Sequence, residues 1–174
     1  METKTLAQYI RDVPDFPKPG IMFKDITPLL GNAEAFGATV DQLAVAARAW
    51  KPTVIVALES RGFIFGAAVA KALGCAFVPV RKPGKLPART ERVTYDLEYG
   101  SGALEMHADA FPKGANVVIV DDLLATGGTA AAATELVTRL GGTVAGYAFV
   151  IELAALGGRT KLQPGVAATA LLTY

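Results

Sequence analysis

The 174-residue chain carries 17 Lys and Arg against 16 Asp and Glu, a formal charge of +1, so composition offers no broad cationic surface for nucleic acid or for a membrane. Its 52% hydrophobic content can offset the entropy of ordering, which excludes a disordered chain and, at this length, points to one sizeable core. One Cys and one His exclude an internal disulfide and a structural zinc set, and a reducing cytoplasmic setting fits best.

The first residues carry Glu2, Lys4 and Arg11 and then Pro14, Pro17 and Pro19, so they lack the apolar core of a secretory signal. No stretch approaches the ~20 apolar residues of a membrane span, and the chain shows no internal repeat. Residues 3–12 predict a short helix, which the Pro- and Gly-rich stretch 14–20 ends because proline cannot continue the backbone hydrogen bonding. The segment 1–30 is thereby set apart as a hood. Asn32 is placed to cap an amphipathic helix over 33–49, with Phe36, Val40, Leu43, Ala44 and Ala47 at helical spacing.

Short apolar runs at 53–58, 76–80 and 116–120 lack the alternation of half-exposed strands, and a helix over 62–73 links the first two. Runs without a polar face suit strands covered on both sides, and the helical link suits a right-handed crossover. The fold class is therefore α/β, with a parallel sheet flanked by helices. From 82 to 107 the texture changes to Gly, Pro and charge, with weak alternation over 93–99 and 103–106, which predicts a projecting, flexible hairpin inserted between core strands. Beyond it come a helix over 128–140, a strand over 144–151 and a last strand near 166–172, for about five strands in one domain.

The strongest local signal is a buried strand ending in Asp121-Asp122, followed by Leu123-Leu124-Ala125-Thr126-Gly127-Gly128-Thr129 and an Ala-rich helix. A helix N-terminus presents unpaired N–H groups and a positive dipole end, so this turn suits a phosphate dianion. Gly127 and Gly128 let the main chain approach closely, while Thr126 and Thr129 add hydroxyls. Two adjacent carboxylates suit a polyol such as vicinal ribose hydroxyls. The plain reading of the same residues is a strand end and a helix cap. No Gly-Lys-Ser/Thr or Gly-x-Gly-x-x-Gly element is present, so this is neither a Walker loop nor a dinucleotide fingerprint.

That segment resembles the signature of type I phosphoribosyltransferases. Phe16-Pro17-Lys18-Pro19-Gly20-Ile21-Met22-Phe23-Lys24-Asp25-Ile26-Thr27-Pro28, Glu59-Ser60-Arg61-Gly62-Phe63, Arg81-Lys82-Pro83-Gly84-Lys85-Leu86-Pro87 and Tyr95-Asp96-Leu97-Glu98-Tyr99-Gly100 resemble the adenine-using branch, in its order and spacing. The resemblance implies the type I phosphoribosyltransferase fold and conversion of adenine and 5-phosphoribosyl 1-pyrophosphate (PRPP) to AMP and pyrophosphate, with Mg²⁺, as a homodimer. It implies the 5′-phosphate at Ala125, Thr126, Gly127, Gly128 and Thr129, and the ribose hydroxyls at Asp121 and Asp122. Pyrophosphate falls to Ser60, Arg61, Arg81, Lys82 and Lys85, since cations must neutralise the leaving group. Mg²⁺ is expected to bind mainly through PRPP and water, without a dedicated protein ligand. Adenine falls to Met22, Phe23, Lys24 and Leu153, and Glu98 is the catalytic acid/base.

Residues 81–92 hold five cations against Glu91 alone, a local +4 that leaves −3 for the remainder, so the near-zero total conceals one compact anion site. A related enzyme using another purine, or a regulator sensing PRPP on the same fold, are the alternatives. Tyr95 is read as a hinge or packing residue, Gly100-Ser101-Gly102 as a loosened turn, Cys75 and Trp50 as packing, and His107 as a satisfied structural histidine.

Overall fold

A computed structural model describes residues 3–97 and 100–174. At its centre is a five-stranded sheet, every neighbouring pair parallel, built from β3 (Val54–Leu58), β4 (Ala76–Val80), β7 (Asn116–Leu124), β8 (Thr143–Glu152) and β9 (Ala167–Thr173) in the order β4-β3-β7-β8-β9. The numbering allows for the small sheet β1 (Arg11–Val13) with β2 (Phe23–Asp25) and the hairpin β5 (Thr90–Leu97) with β6 (Gly100–His107), both antiparallel.

Period-two alternation decides what each face of the central sheet buries. Val54, Val56 and Leu58 face a core shared with Val117, Ile119, the helix α5 (Gly128–Arg139) and the hairpin residues Val93, Leu104 and Met106. Ile55, Val118 and Val120 face the other core, filled by α3 (Ala33–Arg48), α4 (Gly62–Leu73) and Leu6, Ile26 and Leu29 from the N-terminal segment, the last on the short α2 (Thr27–Leu30). Both faces are covered, which is why these strands read as unbroken apolar runs. As expected, the Asn32 side chain accepts from the Ala35 amide at 2.9 Å and caps α3. Gly74, at φ 69°, closes α4 in the left-handed conformation that glycine adopts without strain.

Three expectations need correction. Residues 3–12 do not form one helix: α1 (Thr3–Leu6) passes into a 3₁₀ turn (Ala7–Tyr9), and β1 follows. The cause lies across the hairpin, where Arg11 pairs with Asp25 at 2.7 Å and Lys24 with Asp12 at 2.6 Å. Hydrogen bonds from the Thr27 amide and hydroxyl, aided by Arg11, hold the Asp25 carboxyl below the usual range. Second, β7 does not stop at the diacid but runs on to Leu124, because Leu123 and Leu124 still pair with Ile151 and Glu152 of β8. Third, Gly102 does not loosen a turn. It lies opposite Tyr95, and a Cβ there would sit 2.7 Å from the Tyr95 ring, so the glycine makes room for that ring to lie across the hairpin.

Trp50 is a packing residue, its ring lying where a Cβ on Gly146 would come within 2.2 Å. The Cys75 thiol donates to the Pro52 carbonyl at 3.1 Å, and burial pushes its pKa up, which suits an inert thiol. The expectation for His107 fails in part, since its buried Nε2 has no hydrogen-bond partner among the described residues.

Candidate functional site

Three β-strand ends and one helix N-terminus enclose a cavity of about 440 Å³ at the carboxyl edge of β3 and β7. One wall is Asp121 and Asp122, continuing through Ala125, Thr126 and Gly127 to Thr129 in the first turn of α5. The facing wall is Glu59, Ser60 and Arg61 from the β3–α4 turn, with Lys82 from the segment after β4. Phe149 of β8, stacked on Tyr147 with ring centroids 6.4 Å apart, completes the floor. The phosphate-loop residues and the diacid, Ser60 and Arg61, and Lys82 are thus brought together from three separate parts of the chain.

The loop is shaped by Gly127, whose φ of 79° is the left-handed conformation at the N-cap of α5. It aims the leading amides of α5 at the cavity, where the helix dipole adds partial positive charge. Gly128 opens α5 itself. Across the cavity, a Cβ on Gly62 would come within 2.5 Å of Asp121 Oδ1, so only glycine lets the start of α4 sit this close to the diacid.

The two carboxylates differ electrostatically. Asp122 is buried and pairs with Arg61 Nε at 2.7 Å. Asp121 Oδ1 accepts its neighbour's amide at 2.9 Å. Burial, reinforced by the negative charge of Asp122, lifts the Asp121 carboxyl well above its ordinary value, with Arg61 opposing. Arg61 also lies over the Phe23 ring at 5.3 Å, so one guanidinium spans the gap between the diacid and the hood.

Glu59 organises the facing wall. Its Oε2 accepts the Lys82 amide at 3.0 Å and Arg81 Nε at 3.1 Å. Burial pushes its carboxyl up, but those two donors outweigh it and the net shift is downward. Arg81 therefore points at Glu59, and its Nη1 donates to the Lys85 carbonyl at 3.1 Å. Neither Arg81 nor Lys85 lines the cavity; both stand behind Lys82 in the turn.

The hood residues stand apart from the cavity wall. Phe23 packs edge-on against Phe16 at 5.1 Å, Met22 is exposed, and Lys24 pairs with Asp12 while lying 4.0 Å from the Tyr174 ring centroid. Leu153 follows β8, its amide bonded to the Leu124 carbonyl at 2.9 Å, so the diacid strand and the end of β8 are locked in register. Arg61 is the link between Phe23 and the cavity. Glu98 lies outside the described residues, as does Tyr99.

Sequence pattern assigns no role to Phe149 or Glu105, and it marks Glu59 only as the first residue of the Glu59-Ser60-Arg61-Gly62 motif. Glu105, buried on β6, accepts the Gly84 amide at 3.0 Å, and its own backbone exchanges two hydrogen bonds with Arg81. A carboxylate within the apolar run 103–106 was the one available sign that this strand faces polar partners on its second side. Among the described residues no group of three or more His, Cys, Asp or Glu forms a metal cage.

The sequence matches the phosphoribosyl transferase domain family over residues 30–162. It is 56% identical over 169 residues to an adenine phosphoribosyltransferase of Gloeobacter violaceus, covering 97% of this chain and 99% of that one. The crystal structure of adenine phosphoribosyltransferase from Thermoanaerobacter pseudethanolicus superposes with a TM-score of 0.95 at 52% identity, covering 99% of each chain. The Saccharomyces cerevisiae enzyme, complexed with adenine and an imino-altritol bisphosphate, superposes with a TM-score of 0.91 at 45% identity over 98% of each chain.

Proposed function

The chain belongs to the adenine phosphoribosyltransferases, enzymes of purine salvage that make AMP and pyrophosphate from adenine and PRPP, and from that premise we propose which of its residues perform the transfer. The observation that carries the proposal is the single cavity that unites the 125–129 turn, the Asp121-Asp122 pair and the Ser60, Arg61, Lys82 wall.

The 5′-phosphate sits at the N-terminus of α5, held by the amides of the 125–129 turn and the hydroxyls of Thr126 and Thr129. Asp121 and Asp122 accept hydrogen bonds from the ribose 2′ and 3′ hydroxyls. Pyrophosphate then lies towards Ser60, Arg61 and Lys82, with Arg81 and Lys85 supporting the turn that carries Lys82. As the C1–O bond to pyrophosphate breaks, positive charge grows on the ribose ring and negative charge on the leaving group. The cations stabilise the departing oxygens, while the diacid lies beside the oxocarbenium-like ring.

Ligand binding must take Arg61 from Asp122, exchanging one internal ion pair for a ribose contact and a pyrophosphate contact. The same movement uncovers the Phe23 face. Adenine then stacks on Phe23 with Leu153 on its other side, its edge read by the main chain of Met22, Phe23 and Lys24. N9 attacks C1, and Glu98 takes the purine-ring proton. Mg²⁺ would be held mainly by the oxygens of PRPP and by water rather than by a dedicated protein ligand, and when bound it would supply charge neutralisation to the pyrophosphate.

We place the working enzyme in the cytoplasm as a homodimer with small-molecule partners rather than nucleic acid or membrane. Exposed Phe16, Ile21, Met22, Ile64 and Phe77 give apolar surface for a second copy. Among the described residues no helix is long and apolar enough to cross a membrane. Incubation with PRPP, Mg²⁺ and each purine in turn tests the function: AMP should form far faster than IMP, GMP or XMP, and the reverse order would reassign the substrate. Glu98→Leu should lower kcat while sparing KM for PRPP; an unchanged kcat would place proton handling elsewhere.

A further inference from the structure

The turn Gly158–Lys161, which follows β8, has no part in the reading above, yet its backbone lies directly against the 125–129 turn. A Cβ on Gly158 would fall 2.2 Å from the Ala125 carbonyl oxygen and 3.1 Å from the Gly127 nitrogen. In the opposite sense, a Cβ on Gly127 would fall 2.3 Å from the Gly158 carbonyl oxygen. Two glycines from distant parts of the chain thus meet backbone to backbone, with no space for a side chain on either.

Such an abutment sets the position of the turn only if Gly158 is itself fixed, and it is fixed from both sides. Glu152, the last residue of β8, is buried and receives the Arg159 guanidinium as a fork, Nε at 2.7 and 2.9 Å from its two oxygens and Nη2 at 2.6 Å. Arg159 Nη1 also donates to the Ala168 carbonyl of β9 at 2.9 Å, so one side chain straps the turn to two strands. Beyond the turn, Leu162 is buried and the Gln163 amide reaches the Tyr147 hydroxyl at 3.3 Å. That hydroxyl is 2.7 Å from Thr134 Oγ1, on α5, the helix that the 125–129 turn leads into.

We propose that Glu152 and Arg159 are positioning residues for the ribose 5-phosphate group: by seating Gly158 against Ala125 and Gly127 they fix where the phosphate-binding amides point. The proposal rests on the reading of residues 125–129 as the phosphate site. Neither Glu152 nor Arg159 lines the cavity. Their effect is carried by backbone contact, because amides preorganised for a phosphate lose affinity when displaced by a fraction of an ångström. An ordinary structural brace would instead lower stability and the active fraction while leaving substrate affinity alone.

The experiment compares Arg159→Gln, Arg159→Lys, Gly158→Ala, Gly157→Ala and Thr129→Ala by steady-state kinetics, calorimetric binding of ribose 5-phosphate and thermal unfolding. Arg159→Gln and Gly158→Ala should each raise KM for PRPP about tenfold or more and weaken ribose 5-phosphate to match, with KM for adenine little changed. Arg159→Lys, which keeps the charge but not the fork, should fall between them and the parent. Gly157→Ala is the control: Gly157 has φ 64° but nothing within 4 Å of a Cβ, so it should shift unfolding without altering KM. Lower stability with parental KM and ribose 5-phosphate affinity in both Arg159→Gln and Gly158→Ala would overturn the proposal. Should Gly158→Ala not fold, the Arg159 pair decides alone. If Thr129→Ala also leaves ribose 5-phosphate binding intact, the phosphate site itself is misplaced and the proposal falls with it. If Thr129→Ala weakens binding and the turn variants do not, only the positioning role falls.

Discussion

Two adjacent carboxylates in one cavity carry opposite electrostatic burdens. Asp122 has its cation, at 2.7 Å, whereas Asp121 stands half-buried on the cavity wall beside a like charge, and desolvation followed by that charge raises its folded-state pKa. A carboxyl that binds its proton more tightly in the folded than in the unfolded chain favours folding at acid pH. That advantage is lost as pH rises from the unfolded value through the folded one. Asp121→Asn removes the titration while keeping the oxygen that accepts the Asp122 amide. Its thermal midpoint should therefore exceed the parent's at pH above the parent's folded pKa, and the difference should shrink as pH falls below it. The same substitution should raise KM for PRPP, because a ribose hydroxyl loses its strong acceptor; a midpoint scan against pH and one kinetic titration read both effects. Asp122→Asn should impair use of PRPP further, since it also breaks the Arg61 pair. The diacid was legible in the sequence as a site, but the asymmetry between its two members was not, because it depends on Arg61 arriving from the β3–α4 turn.

Elements were legible where local pattern and tertiary burial agree. The runs now seen as β3 and β7 are apolar because both sheet faces are covered there, whereas the edge strand β4 leaves Ala76 and Phe77 exposed, and α4 and β4 fall at the expected boundaries. The N-terminal helix stops short of its local pattern because its continuation is overruled by β2, a partner fourteen or fewer positions away whose pairing no local propensity records. β7 outruns its apolar pattern for the same reason, since β8 keeps pairing beyond the diacid. The hairpin was legible as an insertion, but not its attachment. Leu104 and Met106 face the core while Glu105, on the opposite face, holds Gly84 and through it the turn bearing Lys82. Glu105→Ala should cost about 1–2 kcal/mol on denaturant unfolding, in line with loss of a charge-assisted hydrogen bond, and should raise KM for PRPP. Glu105→Gln retains an acceptor and should recover most of both. At the β7–β8 bulge the geometry is equally specific: Gly146→Ala would drive a methyl into the Trp50 ring and should destabilise by ~1–3 kcal/mol without changing either KM.

For the molecule as a whole, a charge of +1 conceals strong local pairing. Within the cavity Arg61 is matched by Asp122, and behind it Arg81 is matched by Glu59, so much of the cationic wall is internally compensated before substrate arrives. Lys82 on the cavity wall and the surrounding 81–92 segment, with its local +4, supply the field that a polyanion meets first. A compensated site discriminates by exchange, because only a ligand that offers hydroxyls to Asp122 and anionic oxygens to Arg61 together can replace the pair without stranding a charge. An isolated anion would leave Asp122 unpaired. Salt should therefore act on the two substrates unequally. Raising ionic strength from about 0.01 to 0.1 M shortens the screening length from roughly 30 to 10 Å, which weakens the attraction between PRPP and the 81–92 segment but leaves neutral adenine unaffected. We expect kcat/KM for PRPP to fall several-fold over that range at constant free Mg²⁺, with kcat/KM for adenine at saturating PRPP nearly flat. Lys82→Gln should lower the PRPP value at low salt and flatten its salt dependence. Parallel salt curves for the two substrates would assign the effect to the fold rather than to this cationic segment.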